Sequence, residues 1–184
     1  MNDKYLFEDI GSFELTQPNM RVSDPCYDKN VWCSLVLHKC RPGTWNAAAA
    51  KVDSPTWGTR VAALAVCHSD FPSLTKFEKI GTILPDGVVK IRKTAGVDSG
   101  QCGFFDESFY RDNDICKDMD LSVDYGEPWY NLCCETTLDG KMCGIIPHGA
   151  VSRSGVGDGA YPLYYIIKDR QVVAAMLQFM EYAE

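Results

Sequence analysis

Short apolar runs broken by Gly, Pro and Asp fill most of the chain, and only a few stretches repeat with a helical period. Ser12 to Thr16 and Met20 to Ser23 read as strands joined by a Gln17-Pro18-Asn19 turn. Ser34 to His38 alternates, with Leu35 and Leu37 on one face. Thr44 to Val52 follows an Arg41-Pro42-Gly43 turn, and its Ala47 to Ala50 stretch suits a strand or a helical turn. Gly58 to His68 is the strongest strand. Val61 to Cys67 is apolar on both faces, as in a strand covered on both sides.

Asp70 to Gly87 reads as a long connection. Val88 to Lys93 alternates, and Thr94 to Asp98 and Gln101 to Phe105 are two further short strands about Ser99-Gly100. Asp106 can cap a short helix to Tyr110, and Pro128 can open another to Glu135. Leu138 to Lys141 reads as a hairpin turn through Asp139-Gly140. Tyr161 to Lys168 and Val172 to Met180 form a hairpin about Asp169-Arg170. The sum is one domain over residues 1–184, mainly β within an α+β class. The expected form is a β-sandwich or a strongly bent antiparallel sheet with one or two short helices.

Composition narrows the picture. Hydrophobic residues make up 46% and charged residues 23%, which is enough apolar material for a core and argues against disorder. The first ten residues hold Asp3, Glu8 and Asp9 and no basic n-region, so no secretory signal is expected and the location is read as cytoplasmic. The longest apolar stretch is too short to span a bilayer. Nine cysteines with no C-x-x-C pair then read as reduced, mostly buried thiols. Cys133-Cys134 is a vicinal pair and a weak redox candidate.

Charge is unevenly placed. Asp106 to Glu127 holds eight acids against two bases, Arg111 and Lys117, and so carries −6 of the formal −7. With a pI near 4.9, high-affinity contact with a phosphate backbone is not expected. Asp106, Glu107, Asp112, Asp114, Asp118, Asp120 and Asp124 interleave with Phe109, Tyr110, Tyr125 and Trp129. Such a face could imitate a phosphate track and engage a basic, nucleic-acid-binding partner. The plain alternative is a solvated loop whose aromatics pack inward. Two D-x-D pairs invite Ca²⁺, but the EF-hand glycine and terminal glutamate are missing from their places.

Chemistry has one further candidate. Asp24, Asp70, Asp98 and Asp158 stand beside turn residues at strand ends, and His68 lies close to Asp70 in sequence. Converged, they would suit Mg²⁺ or Mn²⁺ and metal-assisted hydrolysis. The competing reading is that Asp beside Gly, Ser or Pro builds turns. Cys26 or Cys102 with His68 or His148 are the only nucleophile–base pairs to name, and no Gly-x-Ser-x-Gly elbow occurs. A Walker loop and a G-x-G-x-x-G fingerprint are also missing.

Three blocks, Val22-Ser-Asp-Pro-Cys-Tyr27, Val97-Asp-Ser-Gly-Gln-Cys-Gly-Phe-Phe-Asp106 and Ser154-Gly-Val-Gly-Asp-Gly-Ala-Tyr-Pro-Leu-Tyr164, resemble an uncharacterised family of small bacterial and phage proteins. The resemblance implies a fold and a bacterial or mobile-element setting, with no activity to transfer. Together, charge and setting lead to a non-enzymatic binding protein that inhibits a host defence nuclease, as an anti-CRISPR protein does. The alternative is the metal-dependent hydrolase.

Overall fold

The computed structural model describes residues 6–71, 89–138 and 140–180. Among these residues eleven strands form two antiparallel sheets: β1 Phe7–Leu15, β2 Asn19–Ser23, β3 Leu35–His38, β4 Gly43–Ser54, β5 Gly58–His68, β6 Val89–Val97, β7 Gln101–Asp106, β8 Cys143–Ile146, β9 Gly149–Arg153, β10 Gly159–Lys168 and β11 Gln171–Gln178. The larger sheet runs β1-β4-β5-β11-β10-β6, and the smaller runs β3-β2-β7-β9-β8. One helix, α1 at Pro128–Thr137, and a single 3-10 turn at Asn113–Ile115 complete the described elements.

The sheets face each other as a sandwich. Phe13, Trp45, Val66, Leu163 and Leu177 come from the larger sheet, and Met20, Val22, Leu37, Phe104 and Ala150 from the smaller. Burying these faces supplies most of the driving force, at roughly 25 cal/mol per Å² of apolar surface. β5 is buried on both faces, as its pattern requires. Val61, Leu64 and Val66 join the central core, while Ala63, Ala65 and Cys67 join a second cluster on the opposite face. A register shift between Ala50 and Lys51 leaves Ala62 as the extra residue of a β-bulge. The Ala62 carbonyl then accepts from Phe179 and Met180, which ties the chain leaving β11 to β5.

The outer face of the smaller sheet carries a third layer. Phe105, Ile146 and Val151 of that sheet pack with Tyr110, Cys116, Trp129 and Cys133. Glycine allows this layer to lie close. A Cβ at Gly103 would collide with the Phe105 ring and the Ala150 carbonyl, and one at Gly149 would meet the same ring at 2.7 Å.

Several expectations change. Ala47 to Ala50 is strand, because alternate alanines face the two buried layers. Asp106 to Tyr110 is a turn rather than a helix, and the helical turn comes later at Asn113–Ile115. The two strands expected between Val88 and Asp98 are one, β6. The hairpin of β8 and β9 was not anticipated, since its turn is only Pro147-His148, with His148 at φ +61°. The β10–β11 hairpin forms as read, with Asp169 and Arg170 both at positive φ, as a primed turn requires. Most of the Asp70 to Gly87 connection, and Asp139 of the expected Asp139-Gly140 turn, lie outside the described residues. Among the described residues no helix is long and apolar enough to cross a membrane.

Candidate functional site

The acidic segment is built from its base. Asp106 ends β7 and is fully buried. Its Oδ2 accepts from the Thr16 amide and hydroxyl, both at 2.6 Å, and its Oδ1 accepts from the Ser108 amide at 2.8 Å. Glu107 is gripped by the buried Arg21 in a two-bond fork, Nε to Oε2 at 2.6 Å and Nη2 to Oε1 at 2.8 Å. Arg21 Nη1 also donates to the Lys29 carbonyl at 3.0 Å and the Ser34 hydroxyl at 2.6 Å. Its guanidinium carbon lies 4.9 Å from the centre of the Tyr110 ring.

Tyr110 and Trp129 are buried at 2% and 1% exposure and meet edge to face, with centroids 5.0 Å apart. The Tyr110 hydroxyl donates to the Tyr27 carbonyl at 2.7 Å. Burial is the main cause that pushes this phenol up from its ordinary value, partly offset by Ser23 and the two arginines. Arg111 reaches the Pro25 carbonyl at 3.0 Å and the carboxylates of Asp28 and Glu127. The loop from Asp24 to Ser34 and the start of the acidic segment are therefore stitched into one body.

Helix α1 holds the rest. Asn113 Oδ1 accepts from the Trp129 amide at 2.9 Å, and Asn131 Oδ1 from the Tyr125 amide at 2.7 Å. Glu135 accepts from the Ser122 amide and hydroxyl, which lowers its pKa. Asp112 caps the 3-10 turn through the Asp114 amide at 3.0 Å. On this scaffold Asp114, Asp118, Asp120 and Asp124 are exposed, with Asp112 half-buried. Met119 and Tyr125 stand out beside them, Tyr125 at 61% exposure. Lys117 approaches Asp114 at 3.7 Å across the surface.

The expected face is thereby divided. Asp106, Tyr110 and Trp129 are buried and Glu107 is only partly exposed: the two carboxylates are spent on Thr16, Ser108 and Arg21, and the two rings cover the smaller sheet. Phe109 is half-buried and stacks on His148, with centroids 3.9 Å apart. The acids at positions 112, 114, 118, 120 and 124 form the open rim.

The metal reading loses its ligand set. Asp24 is fully buried, and its oxygens accept from the amides of Cys26, Asp98 and Ser99 and the hydroxyl of Ser99, at 2.6–2.8 Å. His68 belongs to the larger sheet, where Nε2 meets the Pro42 carbonyl at 3.0 Å and Nδ1 accepts from the Asp70 amide at 3.1 Å. Both ring nitrogens are thus engaged. The exposed Asp70 carboxylate is 3.7 Å from Nδ1, whereas Asp98 and Asp158 are exposed in other turns. Among the described residues no three His, Cys, Asp or Glu groups gather to hold a metal ion. What Asp24 and its neighbours do instead is join the three sequence blocks. Asp24 ties the first to the second, Ser154 donates to the Gly100 carbonyl at 2.9 Å, and Tyr161 closes the third onto Gly157 at 2.7 Å.

The thiols are not poised as nucleophiles. Burial, then the Asp24 carboxylate, pushes the Cys26 thiol up to about 12, and burial pushes Cys102 up further. His148 is occupied with the Glu14 carbonyl at 3.1 Å. Beside it, Ser12, Phe13, Glu14, Ile145, Ile146 and Pro147 line an open, shallow depression between edge strands β1 and β8.

Sequence reasoning missed Trp32, among the described residues the most exposed large hydrophobic side chain, at 93%. Its signal was an aromatic in the short apolar triplet Val31-Trp32-Cys33, which shows no strand alternation and follows the polar Asp28-Lys29-Asn30. No family model, no curated protein and no solved structure matches the chain.

Proposed function

We propose that this protein is a non-enzymatic binding protein that presents the rim from Asp112 to Gly126 to a positively charged protein partner. The observation that carries this reading is the segregation of charge within one acidic run. Acids at the base are neutralised by Arg21 and Arg111 or by buried donors, while Asp114, Asp118, Asp120 and Asp124 remain exposed. A field fixed on a rigid base steers an oppositely charged partner without reorganising. Exposed Tyr125 and Met119 add apolar contact within the same rim. A nucleic-acid-binding host protein suits such an acid track, and in a phage or mobile-element setting a defence nuclease inhibited in the anti-CRISPR manner is the partner class we favour.

The test is parallel capture from host lysate with the wild-type chain and a variant carrying Asn at positions 112, 114, 118, 120 and 124. A partner held by the wild type at low salt, released as salt rises, and lost by the variant supports the reading. Equal retention by both chains at every salt concentration reduces the rim to a solvated loop.

A further inference from the structure

An indole in water forgoes a large apolar burial, and tryptophan is highly buried on average. Trp32 is nevertheless 93% exposed, and its loop is not slack. Val31 donates to the Asp28 carbonyl and Ser34 to the Val31 carbonyl, each at 3.2 Å. Arg21 clamps Lys29 and Ser34, and Gly96 of β6 donates to the Cys33 carbonyl at 3.1 Å. A Cβ at Gly96 would lie 2.8 Å from the Cys33 side chain, so the loop rests directly on that strand. The indole is thus held out by structure on both sides of it.

Exposed carboxylates belong to the loop and to the turn it rests against. The Asp28 side chain is 85% exposed and gives Arg111 one oxygen at 3.4 Å. Asp98 is exposed, and its amide donates to Asp24, where the loop begins, at 2.8 Å. The nearby cations already have partners: the exposed Lys29 donates through Nζ to the Glu107 carbonyl at 3.1 Å, and Arg111 donates to Pro25 and Glu127. Through Arg21 and Arg111 this loop and the acidic rim belong to one rigid body.

We propose that Trp32, with Asp28 in its own loop and Asp98 on the turn that follows β6, receives an arginine side chain from an arginine-rich segment of a basic protein partner. The guanidinium plane lies on the indole, and its edge forks onto the carboxylates. Arginine fits better than lysine because it stacks as a flat, weakly hydrated cation and donates in pairs. The assignment rests on the binding-protein reading above and names the anchor that the rim alone does not supply.

Nona-arginine and nona-lysine peptides have equal charge and test it by titration calorimetry at low salt. The wild-type chain is expected to prefer nona-arginine by on the order of tenfold. Trp32→Ala should bring nona-arginine down to the nona-lysine affinity. Trp57→Ala, at the other exposed tryptophan on the β4–β5 turn, should leave the preference intact. Asp28→Asn with Asp98→Asn should weaken nona-arginine more than nona-lysine. A wild-type melting curve for each variant shows that it is folded. Equal wild-type affinity for the two peptides, or a preference that survives Trp32→Ala, overturns the proposal. If both peptides bind equally and the five-Asn rim variant releases both, the hook fails while the rim reading stands. If neither peptide binds, the hook is overturned, and the rim is judged by its own salt-dependent capture.

Discussion

Asp106 and Asp118 stand in the same acidic run, and the fold uses them in opposite ways. Asp106 is fully buried and accepts three hydrogen bonds that join the end of β1 to the turn after β7. Asp118 is exposed on the rim. Trp129 and Tyr125 repeat the contrast among the aromatics, at 1% and 61% exposure. A buried carboxylate persists only where donors surround it, and an aromatic ring is buried only where a sheet or helix lies beneath it. Local charge density is therefore a poor guide to a surface: the same composition builds both a base and a rim.

The largest expected effect is at the base. Trp129→Ala removes the ring that Tyr110 and Phe105 pack against and should cost roughly 3–5 kcal/mol. Thermal melting should then fall by about 10 °C. An unchanged melting temperature would mean that the base is not part of the core.

Arg21→Ala comes next, at about 3 kcal/mol, because it strands Glu107 and the Ser34 and Lys29 acceptors. Denaturant titration measures this loss, and Arg21→Lys should recover little of it, since an ammonium cannot make the fork. Full recovery by lysine would replace the clamp with simple charge neutralisation.

The base also carries a pH signature. Burial pushes the thiols of Cys116 and Cys133 up from the ordinary 9, and pushes Cys40 in the main core to about 12. The folded chain keeps protons that the unfolded chain releases above pH 9. Stability from these thiols is therefore complete below pH 9 and is lost as pH rises through the higher folded values. The slope is about 1.4 kcal/mol per pH unit for a fully buried thiol such as Cys133. Melting temperatures from pH 7 to 11 should decline above pH 9, and Cys133→Ala should flatten the decline. A flat profile would contradict protected thiols.

The smallest stability effect belongs to the rim. Asn at positions 112, 114, 118, 120 and 124 should leave the melting temperature near wild type or raise it slightly by relieving repulsion. A loss above about 1 kcal/mol would move these acids into the base and erase the distinction.

The strands were legible where an apolar pattern was long enough to count. Val61 to Cys67 announced a strand buried on both faces, and the β10–β11 hairpin was marked by alternation about Asp169-Arg170. Pro128 announced α1. The β8–β9 hairpin was not legible, because four-residue strands about Pro147-His148 carry too few alternations. Nor was Trp32, since nothing in its neighbours says that Arg21 and β6 hold its loop outward.

Periodicity and turn chemistry act over a few neighbouring residues, so the sequence by itself determined a β-rich fold, its central strand, its helix start and the location of its acidity. Burial of a carboxylate depends on donors brought from far along the chain: Thr16 for Asp106, Arg21 for Glu107, and Asp98 with Ser99 for Asp24. Only the tertiary structure could decide which acids are neutralised, that His68 lies in the sheet opposite the one Asp24 leaves, and that the exposed rim and the Trp32 loop are one body.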